Sequence, residues 1–286
     1  MFARPRHRMI EPAPEPMRRP AADAAPAVEI LSAEKVFPNG TRGLAPVSLT
    51  LREGEFVSLI GPSGCGKSTL LSLVANLHQP SDGRLLWWRG GFDRVGADGR
   101  RLAVVFQDAT LMPWLRIAGN VRLPLDLAGM GRAEAGPRVQ AALDLVGLGA
   151  QGRHFPRQLS GGMRMRAAIA RGLVTEPNLL LMDEPFGALD EFTRNKLDAD
   201  LVDLWWRRSL TVLFVTHSIY EAVFLSTRVV VMAARPGRIF AELAIDEPHP
   251  RGEAFRMSPR FAEHCRALSR VLTDASLASD GPEGGR

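Results

Sequence analysis

The sequence predicts an α/β protein built on a mostly parallel sheet covered on both faces. Three observations predict it. Short continuous apolar runs recur at Phe56–Ile60, Leu102–Phe106, Leu179–Met182, Thr211–Val215 and Val229–Met232, as expected of strands buried on both sides. The run Phe56–Ile60 passes through a glycine-rich turn, Gly61 to Gly66, into an apolar helical stretch from Thr69 to Leu77. Between Leu111 and Thr175 the pattern is mainly helical, which reads as a helical insert in the α/β core.

Taken in order, residues 1–27 are rich in Pro, Ala and Arg, have no helical or strand period, and read as a flexible leader. Order is expected to begin at Val28-Glu29-Ile30-Leu31. Pro38-Asn39-Gly40 marks a turn, Val47–Leu51 alternates like a half-buried strand, and Glu53-Gly54-Glu55 turns the chain into the first apolar run. The main domain spans residues 28–246, with the helical insert at 108–176. One of its helices is expected over Ala133–Val146, with Leu143, Leu145 and Val146 as apolar positions. Residues 247–286 form an extension: a Pro- and Arg-rich link, a short helix with Ser258 as N-cap and Pro259 at its first position, and a disordered end.

A chain of 286 residues with 45% apolar composition can bury one large core with a smaller satellite. No run approaches the ~18 apolar residues needed to cross a bilayer. No apolar stretch follows the basic start, so a cytosolic chain is expected. Cys65 and Cys265 lie far apart, which argues against a structural disulfide. The net charge of +5 is carried almost wholly by arginine and forms no single run, so it reads as a solvated surface and not a nucleic-acid interface. Only three lysines occur, and one of them, Lys67, falls where the glycine turn has a use for it.

Gly61-Pro62-Ser63-Gly64-Cys65-Gly66-Lys67-Ser68-Thr69 meets the pattern G-x-x-x-x-G-K-[ST] between a strand and a helix. Glycines permit a loop whose N–H groups all point at phosphate oxygens, and the helix start behind it favours an anion. Lys67 would reach the β- and γ-phosphates and the Ser68 hydroxyl would ligate Mg²⁺. The loop alone does not choose between kinases, GTPases, helicases and transport ATPases. Leu179–Met182 then ends in Asp183-Glu184, which suits a Walker B strand. Asp183 would hold Mg²⁺, and Glu184 is the candidate general base for an attacking water. Its plain alternative is a strand followed by an acidic turn.

Leu159-Ser160-Gly161-Gly162-Met163 discriminates further, since a hydroxyl and bare N–H groups at a helix start can face an anion, although a simple N-cap would look the same. With the two motifs above, in this order and spacing, it resembles the signature of ATP-binding cassette (ABC) ATPases over roughly Val28 to Ile245. The resemblance implies a P-loop NTPase (RecA-like) core with an antiparallel β subdomain and a helical signature subdomain, with ATP and Mg²⁺ as cofactors. It also implies roles for further residues. Gln107 is similar to the Q-loop glutamine that senses Mg²⁺ and the transport partner, and Ala188-Leu189-Asp190 to the D-loop. His217 resembles the switch histidine at the γ-phosphate. Phe37 resembles the ring that stacks on adenine, its alternative being an apolar residue near a strand end.

Within that family, Leu159–Arg164, Met112-Pro113-Trp114-Leu115, Arg235-Pro236-Gly237-Arg238 and the stretch Pro250–Leu272 are most similar to importers of the nitrate, sulfonate and taurine type. Met165 departs from the pattern, where glutamine is usual. The resemblance implies a head-to-tail pair of copies, each ATP lying between the phosphate loop of one and Ser160-Gly161-Gly162 of the other. It implies a permease of separate chains, with Pro113 and Trp114 as docking candidates, an external or periplasmic solute-binding protein met indirectly, and a peripheral place on the cytoplasmic face of the inner membrane. The alternatives are an exporter ATPase, a soluble ABC-type ATPase acting on DNA or ribosomes, and a P-loop kinase. Sustained heptads or a second cassette would mark the soluble type and neither is present, while a kinase would leave Leu159–Gly162 unexplained.

Overall fold

The computed structural model describes residues 24–280 apart from 98, 188 and 250. The chain opens with β1 (Pro26–Val36) and β2 (Arg42–Arg52), then β3 (Phe56–Ile60), α1 (Lys67–Val74), β4 (Asp82–Trp87) and β5 (Leu102–Val105). Three helices follow, α2 (Ile117–Leu127), α3 (Arg132–Leu145) and α4 (Gly161–Leu173), which pack on one another as the expected insert. Then come β6 (Leu179–Asp183), α5 (Glu191–Arg208), β7 (Thr211–Val215), α6 (Ile219–Leu225), β8 (Arg228–Ala233) and β9 (Arg238–Ala244). The described part ends with α7 (Glu253–Arg256) and α8 (Pro259–Asp280).

Six strands form one sheet in the order β5-β6-β7-β3-β8-β9, parallel except for β9 at the edge. The apolar runs are continuous because successive residues point to opposite faces and both faces are covered. Phe56, Ile60, Leu180, Met182, Val212 and Phe214 join a core with the insert and the later helices. Val57, Leu59, Leu179, Leu181, Leu213 and Val215 join a second core with α1 and a three-stranded antiparallel sheet, β2-β1-β4. Met165 is buried in the first of these cores, so an apolar contact stands where the family pattern has a hydrogen-bonding side chain.

The structure changes two boundaries. Residues 1–23 of the expected leader lie outside the described residues, but Pro26 and Ala27 are not leader: Pro26 starts β1 opposite Arg52, and Ala27 is fully buried. Proline is tolerated there as the first residue of its strand. The expected short C-terminal helix is instead α8, 22 residues long. Ser258 does cap it, accepting from Phe261 N at 3.2 Å, with Pro259 first. Its length follows from a buried stripe, Phe261, Leu268 and Ala275, laid against α6 and β8. The expected disordered end, beyond 280, lies outside the described residues.

Candidate active site

The phosphate loop leaves the C-terminal end of β3 and runs into α1. Two of its glycines are required by space. A Cβ on Gly61 would press on the Met232 carbonyl and lie 2.8 Å from Cys65 Sγ. One on Gly66 would lie 2.5 Å from Leu44 Cδ2, and Gly66 also holds φ at 88°, a left-handed value that disfavours a side chain. Gly66 is the N-cap of α1 and no side chain caps that helix, so its first-turn amides are left to face the loop. Lys67 is buried and donates to Gly61 O at 2.9 Å and Pro62 O at 3.1 Å, which holds its ammonium inside the loop. Cys65, within the loop, has its side chain buried, and loss of hydration pushes its thiol pKa up, with Lys67 opposing.

Two strands away, β6 brings Asp183 to the same C-terminal end of the strands. Ser68 Oγ donates to Asp183 Oδ1 at 3.1 Å. Burial pushes the Asp183 carboxyl up, the Ser68 hydrogen bond works against that, and the charge of Glu184 adds to it. A hydroxyl and a half-buried carboxylate at this distance, beside a phosphate loop, are hard oxygen donors suited to Mg²⁺. A cation there would offset the cost of keeping Asp183 ionised. The two residues therefore fit the group expected of them.

Glu184 follows in a left-handed conformation, φ 46°. For a residue with a side chain this is costly, on the order of 1–3 kcal/mol, and is held by its surroundings: Glu184 N donates to Val215 O at 3.0 Å and Glu184 O accepts from Gly187 N at 3.2 Å. The turn aims the carboxylate across the cleft, where Glu184 Oε1 lies 2.5 Å from His217 Nε2. His217 comes from the end of β7, the strand between β6 and β3, so sheet order alone brings it to the loop.

Ser63, Gly64, Gly66 to Thr69, Glu184 and His217 line a cleft of about 440 Å³ together with Phe37, Thr41 and Gly43. Phe37 is half-buried, placed beside Gly43, and Lys35 Nζ lies 5.8 Å from its ring centre. A larger cavity of about 890 Å³ lies at the opposite, N-terminal end of the strands, around Trp205, Trp206 and His249. It has no glycine loop and no helix start, and open α/β sheets bind ligands at the C-terminal strand ends. The chemistry therefore belongs to the smaller cleft.

Other expected residues stand apart from it. Gln107 is exposed, and its amide nitrogen lies 4.0 Å from where a Cβ on Gly187 would stand; no hydrogen bond joins it to Ser68 or Asp183. Ser160 caps α4, accepting from Met163 N at 3.3 Å, and is exposed with Gly161. Gly162 is buried, and a Cβ there would lie 3.0 Å from Thr193 Cγ2. Asp190 caps α5, accepting from Thr193 N at 2.9 Å, a hydrogen bond that holds its carboxyl below the ordinary range; its neighbour Ala188 lies outside the described residues. The plain N-cap alternative is thus met at Ser160, Asp190 caps its helix in the same way, and neither lines the cleft.

Sequence reasoning missed Glu221. It is buried one helical turn past His217, and the Thr216 hydroxyl donates to its carboxylate. An acid at the fourth position after the histidine, in a helix start, was the available signal.

The model of the ABC transporter family matches residues 44–187. The taurine import ATP-binding protein of Rhizobium johnstonii is 46% identical over 231 residues, 79% of this chain and 87% of that protein. The aliphatic sulfonates import ATP-binding protein of Bacillus licheniformis is 41% identical over 231 residues, 80% and 87%. A solved ATP-binding cassette, dimeric and in a post-hydrolysis state with ADP and Pi, superposes with a TM-score of 0.68 at 32% identity, over 79% of this chain and 99% of that one.

Proposed function

The chain belongs to the ABC transporter family as one of its ATPase cassettes, and from that premise we propose that it energises an importer of taurine, alkyl sulfonates, nitrate or a related small solute. The observation that carries the chemistry is the Glu184–His217 contact of 2.5 Å beside the Ser68–Asp183 pair at 3.1 Å, at the C-terminal end of the strands. The solute class is supported by the names of the relatives from Rhizobium and Bacillus.

The residues act in a definite division of labour. Loop amides from Ser63 to Thr69 and the Lys67 ammonium bind the phosphates, and the Phe37 ring meets the adenine. Ser68 and Asp183 would hold Mg²⁺, which would supply charge neutralisation at the phosphates. Glu184 accepts the proton of the attacking water, His217 Nε2 orients Glu184 by hydrogen bonding, and the His217 ring stands at the γ-phosphate. Gln107, outside the cleft, reaches it when the helical insert moves, and so reports nucleotide to the transport partner.

Ser160, Gly161 and Gly162 complete the site of a second copy, with Asp190 alongside. The dimeric cassette found among the structural relatives supports this pairing. Permease chains dock at the surface groove of about 630 Å³ beside Trp114, which is 72% exposed, flanked by Arg116, Arg122 and Phe155. A separate permease agrees with the absence, among the described residues, of any helix long and apolar enough to cross a membrane. The chain then sits at the cytoplasmic face of the inner membrane, and an external solute-binding protein acts through the permease.

Glu184→Gln tests the reading. It keeps the shape of the side chain and removes the base. ATP binding should persist and a nucleotide-bound dimer should accumulate in size-exclusion chromatography. Turnover should fall by about 10²-fold or more. Undiminished turnover would sink the assignment of Glu184.

A further inference from the structure

Behind the His217 turn lies a buried group of charges that the phosphate chemistry does not touch. Glu221 is 5% exposed and Asp198 not at all. The Thr216 hydroxyl donates to Glu221 Oε2 and accepts from Ser218 N at 2.9 Å, while Ser218 Oγ accepts from Glu221 N at 3.3 Å. The residues on both sides of His217 are therefore fastened to Glu221.

The same carboxylate reaches the other side of the site. Glu221 Oε1 lies 3.4 Å from Arg194 Nε, and Arg194 Nη2 donates to Leu189 O at 2.8 Å, one residue before the α5 cap Asp190. One turn further along α5, Asp198 Oδ2 accepts from Arg256 Nη2 at 2.8 Å. Arg256 belongs to α7, outside the six-stranded core, and its guanidinium lies 3.6 Å from the Phe224 ring centre on α6. Two carboxylates and two guanidinium groups thus join the His217 turn, the start of α5 and the C-terminal segment. Burial raises the pKa of both acids; it takes Asp198 to about 7, with the charge of Glu221 adding and both arginines opposing.

A buried ion group adds little net stability compared with apolar packing, but losing one partner leaves an uncompensated charge. What such a group does supply is fixed geometry. His217 itself is half exposed, and Glu184 is the group its ring meets at 2.5 Å. Its backbone position is set from behind. We propose that Glu221 is a positioning residue for His217, and that Arg256, acting through Asp198 on α5 and the Phe224 ring on α6, makes the rate of ATP hydrolysis depend on how the C-terminal segment is docked. This rests on the reading that His217 acts at the γ-phosphate.

The experiment uses the full chain, with Glu221→Gln and Arg256→Gln. In each, kcat should fall, by about tenfold or more for Glu221→Gln, while KM and nucleotide affinity stay within about twofold. The imidazole ¹⁵N resonances of His217, assigned by their loss in His217→Ala, should shift in both variants, and Arg256→Lys should recover most of the rate. A lower melting temperature with unchanged kcat per folded molecule and unmoved His217 resonances overturns the proposal. If Glu221→Gln fails to fold, Thr216→Val, which removes the hydroxyl that Glu221 holds, gives the same two outcomes. Full ATPase activity in His217→Ala would instead refute the underlying role of His217. An inactive His217→Ala, with Glu221→Gln and Arg256→Gln unaltered in rate and resonance, refutes the positioning alone.

Discussion

Acid should unfold this protein earlier than its carboxylates alone require, because of His249. The residue is 3% exposed, its ring stands edge-on to Trp205 with centroids 4.7 Å apart, and neither ring nitrogen has a hydrogen-bond partner among the described residues. A cation lies two residues away: Arg251 donates to the carbonyls of Val223, Phe224, Ser226, Ile245 and Glu247. Burial first, and Arg251 second, lower the His249 pKa from 6.5 to about 3. The unfolded chain therefore takes up a proton near pH 6.5 that the folded chain refuses until about pH 3. Stability from this group is complete above pH 6.5 and is lost as pH falls toward 3. At pH 5 the loss is about 2 kcal/mol, from the pKa gap and the linkage relation. Replacing His249 with Phe keeps a flat ring and removes the titration. Denaturant unfolding at pH 7 and pH 5 should show the wild type losing about 2 kcal/mol more than the variant. Equal losses would refute the reasoning and place a hydrogen-bond partner or water at the imidazole.

Two other substitutions read different parts of the molecule. Phe37→Ala removes the ring beside the loop and should weaken ATP binding by about 1–3 kcal/mol in calorimetry, as loss of base stacking does, with little change in melting temperature; unchanged affinity would return Phe37 to plain packing. Glu55→Ala should destabilise the fold by about 3 kcal/mol in denaturant, since it strips two hydrogen bonds, 2.8 and 2.9 Å, from Arg228, whose side chain is 13% exposed. The bonds from Arg228 to Glu242 and Thr50 O remain and hold the figure there.

The parallel strands were legible because a strand covered on both faces must be apolar at every position, as Phe56–Ile60 is. β9 was not, since it is an edge strand with alternating half-exposed residues and its polar Arg238 and Glu242 break the run. β4 was hidden for the same reason: Asp82, Gly83 and Arg84 are exposed and only its end enters the core. The length of α8 was written in Phe261, Leu268 and Ala275, spaced two turns apart. The Arg, Glu and Ser residues between them obscure so narrow a stripe.

The site divides likewise. The phosphate loop is contiguous, so its glycines and lysine can be read without knowing the fold. The Glu184–His217 contact depends on β7 lying between β6 and β3, which sequence order does not reveal and the family resemblance supplied. Glu221 escaped because a carboxylate on a short helix looks solvated until the elements behind it are known. Gln107 was placed by resemblance too, and the structure leaves it beside Gly187 and outside the cleft.

The reach of α8 has a consequence for how the protein is made. The turn at Gly237 lies against the back of the phosphate loop, where a Cβ would press on Cys65 O, and Ala45 N donates to Gly237 O at 2.8 Å. That hairpin is in turn held by the last residues of the helix: Ser279 Oγ accepts from Ala234 N at 2.8 Å, and Arg238 donates to Ala278 O at 3.0 Å. Strand β3, for its part, must wait for β7 and β8, which are synthesised much later. In N-to-C synthesis the loop motif therefore emerges early, while β7, β8, the Gly237 hairpin and α8 that back it are all made later.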